Sequence, residues 1–160
     1  MSEMRQMRKG DRALSSEVIT SILETGEYGV LAINLPNEFP YAVPVNYIYQ
    51  DNAIYIHCAP EGQKVDAIGS GAKASFTIVK RSKVVAEKFT SSYESAIVFG
   101  KAEIITPNPE SEAILRAFIK KYAPNHLEAG YKYANKDHMK VALIKLTIEH
   151  ATGKCNNKGW

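Results

Sequence analysis

The segment Tyr41–Lys64, YAVPVNYIYQDNAIYIHCAPEGQK, constrains the fold more than any other part of the chain. Strand-forming residues flank Gln50-Asp51-Asn52, a run with turn chemistry, so the segment reads as a β-hairpin. Val43, Val45, Tyr47 and Tyr49 share one face of its first strand, and Ala42, Pro44, Asn46 and Ile48 share the other. Ala53 to Cys58 returns as the partner strand. A polar loop follows at once and sets His57, Gly62 and Lys64 within eight residues. An imidazole, a glycine and a cation at one end of a sheet can hold an anionic ligand. Pro44 has no N–H to give a ladder. It belongs at an edge or a bulge, or where a flat ligand takes the place of a neighbouring strand.

The flanking sequence supplies the rest of one domain. Ser15 to Glu24 has helical spacing, with Ser15 as N-cap, Val18, Ile19, Ile22 and Leu23 on one face, and Gly26 at its end. Tyr28 to Leu35 is a nearly continuous apolar run, which predicts a strand buried on both faces. Lys64–Ser70 predicts a short helix and Lys73–Lys80 a strand. Arg81 to Tyr93 lacks a clean period and reads as a long crossover loop. Glu94–Ile105 is a long strand interrupted by Gly100, the mark of a bulge or bend that curls a sheet. Asn108-Pro109 opens a helix to Tyr122, with Ala113, Ile114, Ala117, Phe118 and Tyr122 at helical spacing. Leu127–Asn135 predicts a further helix, Val141–Ile148 a closing strand, and Ala151–Trp160 a polar tail. The expectation is a single domain over 1–160, with a core from about 14 to 154 and polar tails at 1–13 and 155–160. Its class is mainly β with flanking α-helices, a six-stranded antiparallel barrel.

Composition and motifs exclude several functions. A formal charge of +3 with no long Lys/Arg run does not call for nucleic acid. No apolar run approaches the roughly 18 residues of a membrane helix, and MSEMRQMRKGDR lacks the apolar core of an export signal. Cys58 and Cys155 without a CxxC pattern point to a reducing, cytoplasmic compartment. His57, His126, His138 and His150 show no metal-ligand spacing, so no metal site is expected. G-x-S-x-G, G-x-G-x-x-G and the P-loop pattern are all absent. What remains are polar groups at strand ends. His57 is either a structural strand histidine or a site residue. Lys64 is a solvated lysine or an anion partner. Thr90–Ser95 shapes a loop or binds a ligand, and Thr152-Gly153-Lys154 is a turn or a phosphate contact.

These blocks resemble a known family. Gly29–Ala32 (GVLA), Tyr41–Tyr47 (YAVPVNY), Ile54–Lys64 (IYIHCAPEGQK), Phe89–Ala102 (FTSSYESAIVFGKA) and Ile148–Lys154 (IEHATGK) follow in the order seen in pyridoxamine 5′-phosphate oxidase-like FMN-binding split barrels. The resemblance is to their nitroimidazole-resistance branch in particular. It implies a six-stranded split barrel that forms a homodimer, with FMN in clefts between the subunits. On this reading Pro44, Val45, Asn46 and Tyr47 run along the isoalloxazine ring, and His57 and Lys64 lie near the phosphate or the substrate face. His57 is the candidate catalytic residue. Tyr93 and Ser95 reach the cofactor of the partner subunit, and Lys154 is a further phosphate candidate. The Arg- and His-rich elements with which the oxidase proper grips its vitamin substrate are missing, so vitamin B6 oxidation is not implied. The implied activity is that of an NAD(P)H-dependent, nitroreductase-like oxidoreductase acting on a small oxidised substrate. The competing readings are a non-catalytic flavin-binding module for storage or sensing, and a barrel holding another planar cofactor such as haem or a deazaflavin.

Overall fold

The computed structural model describes residues 4–105, 108–137 and 140–157; His138 lies outside them. Helix α1 (Ser16–Thr25) is capped by Ser15, whose hydroxyl accepts the Val18 N–H, and it buries Ile19, Ile22 and Leu23. Seven strands follow: β1 (Tyr28–Asn34), β2 (Pro40–Asn46), β3 (Ile48–Gln50), β4 (Ala53–Cys58), β5 (Ala72–Val85), β6 (Thr90–Ile105) and β7 (Ala142–Asn156). They form one antiparallel sheet in the order β2-β1-β5-β6-β7-β4-β3. The short helix α2 (Gln63–Ile68) links β4 to β5, and α3 (Pro109–Tyr122) and α4 (Leu127–Asp137) link β6 to β7.

The sheet order explains the architecture. β2 and β3 are opposite edges of the sheet, yet only Tyr47 separates them in the chain. The sheet must therefore curl until its two edges meet at Tyr47. This is a split barrel of seven strands rather than six, and its two edges share no ladder. The additional strand comes from the expected hairpin. Its first strand breaks at Tyr47 because β2 pairs with β1, whereas β3 pairs with β4. The turn residues Asp51 and Asn52 do take left-handed backbone angles, φ 51° and 56°, as a tight hairpin requires.

Two cores result. The barrel interior is filled by alternate strand residues such as Leu31, Phe76, Ile78, Val98 and Ile144, plugged by Ile22 and Leu23 of α1 and Ile68 of α2. The second core lies outside the sheet, where Ile114, Leu115 and Phe118 of α3 cover Ile48, Tyr55 and Leu143. Asn108 caps α3 in a reciprocal capping box with Ser111.

Two expectations are corrected. Arg81–Tyr93 is not a crossover loop but the distal half of the β5–β6 hairpin, with a 3-10 turn at Ala86–Lys88 between the strands. Lys80 to Val84 are all exposed, so no buried face imposes an alternation that a sequence pattern could reveal. The expected polar tail is also strand as far as Asn156, where Asn156 and Cys155 pair with Tyr93 and Glu94.

Gly100 marks the bend. The β6–β7 register shifts there, leaving Glu149 as the extra residue between the pairs Phe99–His150 and Gly100–Ile148. A Cβ on Gly100 would stand 1.8 Å from the Thr147 carbonyl oxygen, a main-chain obstacle that cannot rotate away. Gly100→Ala is therefore expected to cost about 3 kcal/mol or more, read by chemical denaturation. Gly10→Ala, whose Cβ meets nothing within 4 Å, is the control expected to leave the midpoint unchanged.

Candidate functional site

The register at the seam defines an opening. Ile48 pairs with Tyr55 and Gln50 with Ala53, so a continued ladder would set Asn46 opposite His57. The chain instead turns at Tyr47, and β2 leaves to pair with β1. By this register β2 keeps one edge without a strand partner where β4 ends and leads on to α2, and this gap in the ladder is the candidate cleft. Lys64, in the first turn of α2, is near enough to Cys58 for its charge to oppose the rise that burial imposes on the thiol pKa.

Helix α3 fastens the seam. The Tyr122 hydroxyl accepts the Tyr47 N–H at 3.0 Å and lies 2.6 Å from the Tyr47 carbonyl and 2.7 Å from the Glu27 carbonyl. Its one proton serves whichever of the two carbonyls it faces. Lys121 Nζ donates to the Tyr47 carbonyl at 3.1 Å and stands 4.1 Å from the Tyr47 ring centroid. The Tyr47 ring is fully buried, and its hydroxyl is directed at the Ile22 carbonyl, 3.4 Å away. Gly26 is small for this reason, since a Cβ there would meet that hydroxyl at 2.5 Å. Burial raises the pKa of both tyrosines, so both stay neutral. Burial, helped by the charge of Lys80, lowers Lys121 to about 8.

His57 packs edge-on against Phe118, 4.6 Å between centroids, and Phe118 stacks on Tyr122 at 5.9 Å. Phe118 covers one side of the imidazole while the residue keeps an exposed side. That partial burial lowers its pKa and favours the neutral ring, able to donate and accept at once.

The expected site residues separate into groups. Pro44 and Asn46 face outward on β2, and the Asn46 amide donates to the Glu27 carbonyl at 3.0 Å. Val45 packs into the barrel interior. Tyr47 belongs to the seam, with both its backbone groups engaged by α3. His57 and Lys64 flank the cleft. Tyr93, Ser95 and Lys154 lie elsewhere, on β6 and β7, with Ser95 directly opposite Lys154. β7 is the neighbour of β4, but Lys154 stands eleven residues along it from Leu143, the partner of His57, about 35 Å of strand. One chain alone does not unite the two groups. Sequence reading missed Lys121 altogether, because a lysine in a last helical turn carries no signal of its own. It assigned Phe118 and Tyr122 only to the buried face of a helix.

Among the described residues no group of three His, Cys, Asp or Glu side chains could hold a metal ion. No helix among them is long and apolar enough to cross a membrane. The family model for pyridoxamine 5′-phosphate oxidase matches residues 15–155. The chain belongs to the pyridoxamine 5′-phosphate oxidase family. Solved structures that share its fold include the following three. A candidate 5-nitroimidazole antibiotic resistance protein from Bacteroides thetaiotaomicron is 23% identical with a TM-score of 0.70, the match covering 89% of this chain and 85% of that one. The flavocytochrome Anf3 from Azotobacter vinelandii is 19% identical with a TM-score of 0.80, over 98% and 75%. An FAD- and haem-binding protein from Mycobacterium smegmatis is 20% identical with a TM-score of 0.73, over 91% and 73%. At these identities the likeness is one of fold. No curated protein sequence matches the chain.

Two outcomes are expected at the seam of this family member. Tyr122→Phe strands the Tyr47 N–H and should cost about 2 kcal/mol, seen as a fall in Tm of about 5 °C. Lys121, held near 8 in the folded chain against its ordinary 10.5, is protonated in the unfolded chain over the pH interval between them. The unfolded state binds more protons there, so stability rises with pH across that interval. Lys121→Met should flatten this rise in Tm measured from pH 8 to pH 10.5.

Proposed function

We propose that the chain is an FMN-binding homodimer that transfers electrons from NAD(P)H to a small oxidised substrate, a nitroreductase-like activity. The observation that carries this reading is the parting of β2 from β3 at Tyr47, which leaves the candidate cleft at the seam. There β2, with Pro44 and Asn46 exposed, keeps an unpaired edge at the register position of His57, and Lys64, close enough to act on Cys58, follows in the first turn of α2.

The residues fit the group. A flat ring laid along β2 replaces the missing strand, and Pro44 has no N–H that such a neighbour would leave unsatisfied. Backbone groups of the Val45–Asn46 edge are available to the polar rim of the ring, whereas those of Tyr47 are already spent on α3. Lys64 makes no ion pair among the described residues and suits the phosphate. Bound FMN supplies the redox chemistry; the protein supplies orientation and an open face. A neutral His57 at the cleft can hold or pass a proton at its exposed nitrogen.

A second copy completes the arrangement. The outward row Pro44–Val30–Thr77–Ile97–Thr152 runs across five strands without a charge. Such a face suits a protein partner better than water. A copy seated on it brings Tyr93, Ser95 and Lys154 toward the other chain's cleft. Two unpaired thiols suit a cytoplasmic setting. The competing reading is a binding module without turnover, holding a flavin, a deazaflavin or haem. It draws on the fold shared with a protein described as binding FAD and haem.

A visible spectrum of the purified protein decides the first question. Yellow protein, or a rise in Tm on adding FMN, is expected; colourless protein indifferent to FMN sinks the flavin reading. NAD(P)H without oxygen should then bleach the flavin, and its failure to do so selects the module. Lys64→Ala is expected to weaken FMN at least tenfold, and size exclusion should give twice the monomer mass.

A further inference from the structure

β1 pairs with β5 only as far as Thr77, and β5 and β6 run on past it as the distal hairpin. Partners in an antiparallel ladder share a face, and faces alternate along each strand. The outer face that carries Thr77 and Ile97 therefore continues through Val79 and its partner Ser95. A bulge follows. Lys80 has no partner, because the next pair is Arg81 with Glu94. One extra residue moves every later side chain of its strand to the opposite face. Without it Arg81 and Lys83 would follow Val79 outward. With it they share the other face with Glu94, and the outer face continues through Ser82, Val84, Ser91 and Tyr93. Lys80 itself donates to the Thr25 hydroxyl at the end of α1. The bulge thus keeps the outer face of the hairpin free of charge, with Lys154 beside Ser95 at its border.

The hairpin is held in shape from its other face. Arg81 bridges Glu94 at 2.9 Å, and Val85 and Ser92 are buried there. The Asn156 amide donates to the Ser91 carbonyl at 2.6 Å, which ties the hairpin to the end of β7. Its outer face, by contrast, is open. Val79 is 53% exposed, Val84 74%, and Phe89, in the turn, 99%. Phe89 borders the same recess as Val84 and Ser91. A fixed backbone that shows apolar side chains on an uncharged face suits a protein partner, because little ordering is left to be done on docking. A membrane or a nucleic acid would instead need cations on this face, and the bulge has turned them away.

We infer that the distal β5–β6 hairpin is a docking arm, its outer face seated on a second copy of this chain. The inference rests on the homodimer proposed above and names the surface that makes it. The arm is continuous with the uncharged row across the barrel, whose five residues are far fewer than the roughly 20–30 that a stable interface engages on each side. It also carries Tyr93 and Ser95, with Lys154 beside them, on that same face. The surface that meets the partner is therefore the one that holds the group a single chain keeps away from its own cleft. In a two-fold dimer each arm does the same for the other copy.

The test is sedimentation equilibrium over a concentration series, with and without FMN. The wild type should be a dimer in both. Val84→Asp and Phe89→Asp each set a charge on the outer face and should weaken the dimer at least tenfold. Both side chains are exposed, so the far-UV circular dichroism of the variants should match that of the wild type. Lys83→Ala, next to Val84 in sequence but on the other face, should leave the dimer as it was. A wild type that is monomeric at every concentration overturns the proposal, as does a dimer that both aspartate variants leave at full strength. FMN titration of the same samples separates the two readings. A dimer split by Val84→Asp in a protein that never binds FMN supports the arm and sinks only the flavin. Undiminished FMN affinity in monomeric Val84→Asp would overturn the part assigned to the arm at the partner's cleft.

Discussion

The backbone of Tyr47 is the point on which the structure depends. A curled sheet whose two edges share no ladder has to be held shut by something else. Here that is α3, through one phenol and one ammonium placed on a single peptide unit. Without them the Tyr47 N–H and carbonyl would be buried and unpaired, a cost of a few kcal/mol at a place where no strand can substitute. The same contacts fix where β2 departs from β4, and so fix the width of the cleft. Stability and the candidate site are in this sense one problem. Helix α3 lies far from the cleft in sequence and next to it in space.

Most elements were legible because burial enforces a period. Ser15, Asn108 and Pro109 mark helix starts by the chemistry of their side chains, and Gly100 marks a bend. The hairpin turn at Asp51-Asn52 was equally clear. What the sequence hid is instructive. Tyr41–Gln50 alternates without interruption through Tyr47, because both its halves keep one face in an apolar core. The exchange of partners at Tyr47 is a property of the ladder and leaves no trace in the pattern. The distal β5–β6 hairpin was hidden for the opposite reason: from Lys80 to Val84 every residue is exposed, so that run has no pattern to read.

The candidate site was legible as a set of residue types and not as a constellation. Pro44 stood out because proline is costly in a ladder, and His57 and Lys64 because they close a hairpin. The packing of His57 on Phe118, and of Tyr47 on Lys121 and Tyr122, depends on long-range contacts that no local signal encodes. Periodicity set Val45 and Tyr47 on one face of the strand and Pro44 and Asn46 on the other, but not that the first pair turns into the barrel.

The sheet order has a consequence for how the chain comes to be folded. β4, which carries His57, pairs with β7, joining Ala53 to Thr147 and Cys58 to Ala142 across most of the chain. During synthesis β1 and β2 can zip together early, and β5 and β6 can add to them. β4, paired until then only with the short β3, must wait for β7 before its other edge is covered. The cleft is therefore completed only after β7 has been made, long after the hairpin that carries His57.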